Sequence, residues 1–400
     1  MLLVTMALLG GLLVFPSPAR AQETAVATSF LVDPSPRSSA MGGASAAVFW
    51  DDPSPWSNPA LLGLGLGIRY RWSEADLSSA VPSRSTHRAR NLTVEYGGLG
   101  LDVRGTPALL RGPALDGDLL IGFDEDLNLL GYFSYAESVS SVAGGVALLR
   151  TAETLARLSR WFGVPALSRY GDFSVGWSSK SIRSGYMPRR VTLHDLGGLV
   201  RITPYDAIDR SGLWPSLDRR VSLRLDVAHG RSSQNQGRGT LFSWSSVRVE
   251  PIPELARRGW AGRVTAALPA ASQQILRQGR FSWILDFVEP SASLGASWDR
   301  IESTRYDRST ATTTVGPVIH RSGWEASLGN TFAYRWGRID DPDAGVTGST
   351  SGFSVRLAYR GLCGLQYEWA RVPREPNRSP SRHEGLVAHL DPLALWRGLR

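Results

Sequence analysis

The feature that most restricts the fold of this chain is a period-two alternation of apolar and polar residues that recurs along most of its length. In residues 221–228, valine and leucine occupy the odd positions, and Ser, Arg, Asp and Ala occupy the even ones. Residues 353–360 repeat the pattern with Phe, Val, Leu and Tyr on one face. Because successive side chains of a β-strand point to opposite faces, these runs predict strands with one apolar and one polar face.

Two architectures fit such strands. A soluble sandwich turns the apolar face toward a core, whereas a transmembrane barrel turns it toward lipid and the polar face toward a lumen. Many runs have about 8 to 13 residues, near the roughly 9–11 that a tilted strand needs to cross hydrocarbon. Aromatic residues stand at run ends, as in an interfacial girdle: Trp72, Trp324, Trp336, Tyr359 and Trp369. The sequence therefore predicts an all-β fold, a closed antiparallel transmembrane β-barrel, with a soluble β-protein as the alternative.

The alternating runs set the expected strand number at 14 to 16. The candidate strands are 64–72, 90–97, 99–104, 118–123, 128–137, 171–182, 193–202, 219–229, 240–249, 260–267, 280–288, 292–301, 322–336, 350–360, 363–371 and 384–391. Two segments, 148–162 and 268–278, have helical spacing instead, which predicts amphipathic helices in loops or at the membrane interface. They belong to expected loop insertions near 148–170 and 250–279.

The N-terminus has the pattern of an export signal. Residues 1–15 are apolar and too short to cross a bilayer comfortably, and Ala19-Arg20-Ala21 is a small-x-small cleavage site, so residues 1–21 are predicted to be a signal peptide. Cys363 is the one cysteine, which excludes a disulfide framework within the chain. We expect an exported protein stabilised by hydrogen-bonded sheet and by burial.

Residues 22–62 do not alternate, and their prolines and the Gly42-Gly43 pair are unsuited to a sheet ladder. They predict a compact hatch or plug segment ahead of a barrel at 63–400. The motif residues that we expect to define it are Arg37, Met41, Gly42, Gly43, Asp51, Asp52, Asn58 and Pro59. This pattern resembles the start of the PorV/PorQ-like and FadL-like outer-membrane barrels. Shorter stretches at 195–204 and 340–353 are similar to strands and a hairpin of the same superfamily.

The resemblance implies a bacterial outer-membrane barrel of about 14 strands whose N-terminal segment occupies the lumen. It also implies two possible functions. FadL-like members passively transport hydrophobic or amphipathic solutes through a hatch-gated lumen. Such transport requires an apolar pocket beneath the hatch, which we expect near Met41, Val48, Phe49 and Trp50. The alternative is a PorV-like secretion partner or structural protein, which requires an exposed apolar patch on the extracellular loops. The expected partners are outer-membrane lipid and either a hydrophobic solute or secretion-system components.

Charged residues on the polar faces of the strands are the candidate lumen-facing residues. They are Arg69, Arg71, Glu95, Arg224, Asp226, Glu325, Arg335, Arg356 and Glu368. The arginines stand singly among acidic residues and do not cluster with aromatics, so the formal charge of +8 does not indicate nucleic-acid binding. Such residues suit a charge lattice that fills the lumen, latches a plug or attracts an anionic solute.

Nothing in the sequence indicates catalysis or a cofactor. The six histidines are scattered, with neither H-x-x-H nor H-E-x-x-H, and no G-x-S-x-G elbow occurs. Asp340, Asp341 and Asp343 with Gly345 suit a solvated turn better than a calcium loop. We therefore expect no enzyme activity, no cofactor and no metal site.

Overall fold

A computed structural model describes most of the chain. The described residues are 33–76, 86–104, 114–123, 129–159, 167–184, 190–207, 222–237, 240–242, 249–268, 278, 282–307, 312–342, 346–359, 362–373 and 380–392. The predicted signal peptide lies outside them. Among the described residues, no helix is long and apolar enough to span a membrane.

The described chain is built mainly of strands, as the alternation predicts. The strands are β1 (Gly67–Asp76), β2 (Thr86–Tyr96), β3 (Leu99–Arg104), β4 (Ala114–Phe123), β5 (Leu129–Ala147), β6 (Gly171–Ser184), β7 (Val191–Asp206), β8 (Ser222–Gln236), β9 (Thr240–Phe242), β10 (Val249–Pro251), β11 (Glu254–Ala267), β12 (Ser291–Asp307), β13 (Thr312–Val315), β14 (Ile319–Leu328), β15 (Phe332–Asp341), β16 (Val346–Tyr359), β17 (Cys363–Val372) and β18 (Ser381–Leu390). The helices are α1 (Pro36–Ala40) and α2 (Leu148–Leu158), with 3-10 turns at Pro59–Leu61, Leu167–Arg169 and Ser282–Asp286.

Fourteen strands form one closed antiparallel ring. Its order is β1-β18-β17-β16-β15-β14-β12-β11-β8-β7-β6-β5-β3-β2, and β2 pairs with β1 to close it. β4 pairs with β2 and β5, as β3 does, so β3 and β4 occupy the same place in the ring one after the other. Among the described strands, β13 pairs with β12 alone. The predicted closed antiparallel β-barrel is therefore confirmed, and the sandwich alternative is wrong.

The barrel has two unlike rims. We call the rim where β1 begins at Gly67 and β18 ends at Leu390 the terminal rim, and the other the opposite rim. The ring connections of only two or three residues, 97–98, 329–331 and 360–362, all lie at the terminal rim. At the opposite rim the shortest connection between ring strands is 342–345.

The outer wall has an apolar band that ends in tryptophan. From the terminal rim upward, β12 exposes Leu294 and then Trp298, and the next outward side chain is Arg300. The same order recurs where Arg338 follows Trp336. Exposed apolar side chains recur on most ring strands, whereas the inward positions carry buried charges. This is the reverse of a soluble protein and is the distribution that a bilayer requires.

The helix prediction for 148–162 is confirmed in its first part by α2, whereas most of 268–278 lies outside the described residues. Residues 250–279 are not wholly an insertion, because 254–267 form wall strand β11. The strand predicted at 280–288 is wrong, because residues 282–286 form a 3-10 turn. A single strand at 240–249 is also wrong, because the described residues 240–242 pair antiparallel with 249–251, apart from the ring.

The single strand predicted at 322–336 is wrong as well. It is the hairpin of β14 and β15 around a three-residue turn, in which Gly329 and Asn330 have positive φ. Because the turn has an odd number of residues, the alternation of apolar and polar positions continues unbroken through it, and Leu328 and Phe332 both face outward. The period-two signal alone therefore does not distinguish this hairpin from one long strand.

Candidate functional site

Residues 33–66, which we call the luminal segment, lie inside the barrel. Positions 34–50 and 53–64 are buried, and they contact the inner wall from β3 around to β18. The segment begins with α1, where Ser35 caps the helix N-terminus and Pro36 stands at its first position. Pro is tolerated there because that backbone N–H has no partner within the helix. The segment ends at residue 66, before β1.

The Gly42-Gly43 pair lets the segment turn against the wall directly after α1. Both residues have positive φ, at 68° and 75°. A Cβ on Gly42 would lie 2.7 Å from the backbone oxygen of Arg338 on β15 and 2.8 Å from that of Ser322 on β14. The preceding Met41 is 1% exposed and packs over Gly323. Only glycine meets both the conformational and the steric requirement at position 42.

Arg37 is the centre of a buried charge cluster. Its Nε and Nη2 each donate to the carboxylate of Glu325 at 3.0 Å, and its Nη1 donates to the backbone oxygen of Trp50 at 2.6 Å. Trp50 Nε1 donates to Glu325 Oε1 at 2.7 Å, and Arg335 also donates to Glu325. Burial lowers the pKa of Arg37, but Glu325 and then Asp51 more than offset this, so the pKa is raised and the group stays charged.

Asp51 and Asp52 form a second cluster, which reaches from β1 across the lumen to β11. Asp52 pairs with Arg69, with the nearest atoms 3.3 Å apart, and with Arg71. Asp51 has a positive φ of 57° and pairs with Arg263 at 3.4 Å. Burial raises the pKa of Asp52, but the charges of Arg71 and Arg69 outweigh it, so the pKa lies below its ordinary value.

Glu95 anchors the end of the segment. It pairs with Arg69, and its Oε1 accepts from the backbone N–H of Gly63 at 2.8 Å and of Gly65 at 3.2 Å. On the far wall, the carboxylate of Asp299 accepts from the backbone N–H groups of Ser45 and Ala46 at 2.8 and 3.0 Å. Wall carboxylates therefore satisfy backbone donors of a segment that has little secondary structure of its own.

The second half of the segment rests on a row of wall glycines. Gly100, Gly145, Gly176 and Gly197 are register partners on the adjacent strands β3, β5, β6 and β7. A Cβ on Gly145 would lie 2.6 Å from the backbone oxygen of Leu62, and one on Gly176 would collide with Pro59. We call these four residues the glycine row. The absence of side chains there allows the backbone of the segment to approach the wall closely.

Asn58 joins the two halves of the segment. Its Oδ1 accepts from the N–H of Ala60 at 3.0 Å and so caps the 3-10 turn, while its Nδ2 donates to the backbone oxygen of Ala46 at 2.8 Å. The amide also donates to the backbone oxygen of Gly198 on the wall at 3.2 Å. Asn58 is fully buried, so each of these bonds replaces one that water would otherwise make.

All nine predicted lumen-facing side chains lie on the inner wall, but they do not form one group. Arg69, Arg71, Glu95, Glu325 and Arg335 belong to the two charge clusters described above. Arg224 and Asp226 bind each other at 2.8 Å, and Glu368 accepts from Gln366 at 2.7 Å. Among the described residues, no carboxylate lies within 4.0 Å of the guanidinium of Arg356.

A cavity of about 170 Å³ lies between the luminal segment and the wall near the terminal rim. Its lining combines charged and apolar groups: Asp51, Asp52, Leu66, Arg69, Arg356, Gly364, Gln366, Val387 and His389. The apolar residues expected to line a pocket at the hatch are instead packed. Met41, Val48, Phe49 and Trp50 form one cluster with wall residues such as Leu199 and Ala228.

Sequence reasoning missed a cluster around Trp56. Lys180, the one lysine of the chain, lies 4.0 Å from the centre of the indole ring, and Arg104 lies 5.0 Å from it. Lys180 also pairs with Asp195 at 2.7 Å, and Trp56 packs against Ile182 and other aliphatic side chains. The isolated lysine on the polar face of a strand was the signal in the sequence. No group of three or more potential metal ligands occurs among the described residues.

Comparisons with known proteins give structural similarity alone. No family model matches the chain, and no curated protein matches it. The Pseudomonas putida toluene transporter TodX is similar with a TM-score of 0.36 and 10% identity, over 88% of this chain and 95% of that one. The Ralstonia pickettii toluene transporter TbuX is similar with a TM-score of 0.31 and 10% identity, over 88% of this chain and 96% of that one.

The CymD monoaromatic hydrocarbon channel is similar with a TM-score of 0.30 and 14% identity, over 88% of this chain and 95% of that one. Each of these TM-scores is below 0.5, so the fold rests on the strand pairing of the chain itself. None of these three structures is described as PorV-like or PorQ-like.

Proposed function

We propose that the protein is an outer-membrane β-barrel that passively transports hydrophobic or amphipathic solutes, with the luminal segment as the gate of the lumen. The observation that carries this proposal is the attachment of the segment at Asp51 and Asp52. Both carboxylates line the cavity near the terminal rim together with Arg69, and they also pair with Arg71 and Arg263. Side chains that are partly accessible from a cavity can exchange partners without breaking the wall.

The outer surface supports placement in a bilayer. The apolar band, the tryptophan side chains at its edge and the charges beyond them match the layers of a membrane. The shortest connections lie at the terminal rim, and bacterial barrels have short turns on the periplasmic side. We therefore place the terminal rim in the periplasm and the opposite rim outside the cell.

The cavity indicates the chemical class of the solute. Arg356 has no carboxylate partner among the described residues, and it lines the cavity together with Arg69 and His389. Leu66 and Val387 supply apolar lining close by. A guanidinium binds carboxylate or phosphate well, so an amphipathic anion with a short apolar chain suits this lining better than a neutral hydrocarbon.

The experiment compares influx of a medium-chain carboxylate into liposomes containing the wild type or D51N/D52N/N58A. These changes remove the ion pairs of Asp51 and Asp52 and the Asn58 bonds, and they leave the Arg37–Glu325 pair in place, so we expect faster influx. The matched control is R224Q/D226N, which removes an inner-wall ion pair that does not bind the segment. Equal influx through the wild type and the triple variant would contradict gating by the luminal segment.

A PorV-like secretion partner is the alternative function. It requires an apolar patch on the loops of the opposite rim, and those loops lie largely outside the described residues. No observation on the described residues favours it over transport.

A further inference from the structure

The apolar face of helix α2 is exposed, whereas in a helix of a soluble protein it is the polar face that is exposed. At 100° per residue, Leu148, Ala152, Leu155 and Leu158 share one face, and this face is exposed. Leu155 is 58% exposed and Leu158 is 75% exposed. In a soluble protein the apolar stripe of such a helix faces the core. The exposed leucine face of α2 therefore requires an apolar partner that the described residues do not supply.

The polar face of α2 holds the helix in this orientation. Glu153 is buried, and its carboxylate accepts from the backbone N–H and the hydroxyl of Ser168 at 2.6 and 2.7 Å. At the helix N-terminus, the carboxylate of Asp172 accepts from the N–H groups of Leu149 and Arg150 at 3.0 and 3.3 Å. Arg150 also donates to the backbone oxygen of Leu64 in the luminal segment. Turning the leucines inward would break these bonds.

The leucine face continues the apolar band of the wall. Helix α2 begins directly after β5 ends at the terminal rim, and it contacts β5 and β6. The strands around its start expose Leu99, Leu101 and Phe173 near the same rim. Because the leucine face is continuous with the apolar outer wall, we expect it to be in contact with the same surroundings as that wall.

We propose that α2 is an interfacial membrane helix, whose leucine face inserts among the acyl chains of the leaflet at the terminal rim. This inference rests on the membrane placement proposed above. The partner is phospholipid, which supplies an apolar layer beside the wall and a polar headgroup layer above it. Arg157 is exposed on the side of the helix away from the leucines, where it reaches the headgroup and water layer.

The test uses site-directed spin labels in the full-length protein, reconstituted into phosphatidylethanolamine and phosphatidylglycerol vesicles. Replacing Cys363, the one cysteine, with serine allows single labels at L155C, L158C and R157C. L357C on β16 is the membrane reference, because Leu357 is 63% exposed on the outer wall. Each variant is first shown to keep the folded barrel by its resistance to unfolding in detergent without heating.

The readout is the accessibility of each label to oxygen, which concentrates in lipid, relative to a water-soluble nickel complex. We expect labels at 155 and 158 to shift toward the oxygen-rich value of 357, and the label at 157 to stay nickel-accessible. Nickel-accessible labels at 155 and 158, with 357 in lipid, would overturn the helix proposal alone. Labels at 155 and 158 shielded from both reagents would also overturn it, because a protein would then cover the face. A nickel-accessible label at 357 would overturn the membrane placement as well.

Discussion

The two halves of the luminal segment are held by different physical means. Residues 33–52 are bound through charged side chains, centred on the pair of Arg37 with Glu325 and on Asp52. Residues 53–66 have no charged side chains and are bound by close backbone approach to the glycine row and by backbone N–H bonds to Glu95. Close approach to wall glycines also occurs in the first half, where Met41 lies against Gly323, so the charged side chains are what distinguishes that half. The first type of contact depends on side chains that rotate and exchange partners, whereas the second depends on the shape of the wall. We therefore expect opening to begin in the first half, with the second half as the fixed end.

The largest effect on the attachment of the first half is expected from removing the Glu325 carboxylate. The variant E325Q leaves Arg37 and Arg335 buried without their carboxylate, and loss of one partner of a buried pair costs about 3–5 kcal/mol. We expect the luminal segment to become protease-sensitive at a much lower urea concentration. The control is E302Q, whose ion pair with Arg300 is exposed on the outer wall, and which should change little. An E325Q profile equal to that of E302Q would contradict the charged attachment.

The glycine row is tested by two neighbouring residues of β7. In G197A the new methyl group would meet Asn58 and come within 3.0 Å of Pro59, whereas in G198A it would meet nothing within 4 Å. Overpacking of this kind costs about 1–3 kcal/mol. We expect G197A to release residues 53–66 to protease and G198A to resemble the wild type. If both variants released the segment equally, the cause would be the different β-strand preferences of glycine and alanine, and the contact with Asn58 and Pro59 would not be responsible.

The link between the halves is tested by N58A. This variant loses the cap of the 3-10 turn and the bond to Ala46, and loss of such a cap costs about 1 kcal/mol. Because the bond to Ala46 couples the two halves, the effects of N58A and E325Q should not be additive in a double-mutant cycle. Additive effects on the urea midpoint of cleavage would mean that the halves move independently.

The smallest effect concerns pH. The pKa of Asp52 is lowered in the folded protein, so its ion pairs stabilise the attachment above the ordinary carboxyl pKa of 3.8 and are lost as pH falls through the lower folded value. The solute for this test is a medium-chain alkyl sulfonate, which stays ionised over the whole range. Its influx should therefore stay level from neutral pH to about 4 and change only in more acid solution. The D52N variant should lack this acid step. An identical step in D52N would assign it to another group.

Much of the fold could be predicted from the sequence, because a wall strand repeats one simple constraint. The alternation predicted one polar face for the nine candidate lumen residues, and each of them is buried or half-buried in the structure. The hairpin at Gly329 and Asn330 was missed because parity continues through a three-residue turn. The glycine row was missed for a different reason. A glycine on a polar face has no side chain whose chemistry indicates what it contacts. For Gly145 and Gly176 the contacting residue also lies more than 80 residues earlier in the chain.

The central claim, that the luminal segment gates the lumen, is tested most directly by fixing the segment to the wall. In a Cys363→Ser background, A46C and G259C place two cysteines where the Cβ of Ala46 lies 3.1 Å from the position of a Cβ on Gly259. D299A is added to this background, because a Cβ at position 259 would otherwise collide with the Asp299 carboxylate. That spacing is close to the roughly 3.5–4.5 Å of disulfide-bonded cysteines. Carboxylate influx into liposomes is then measured for the same preparation oxidised and reduced. The account predicts influx at the level of protein-free liposomes after oxidation and its recovery after reduction, and equal influx in the two states would contradict it.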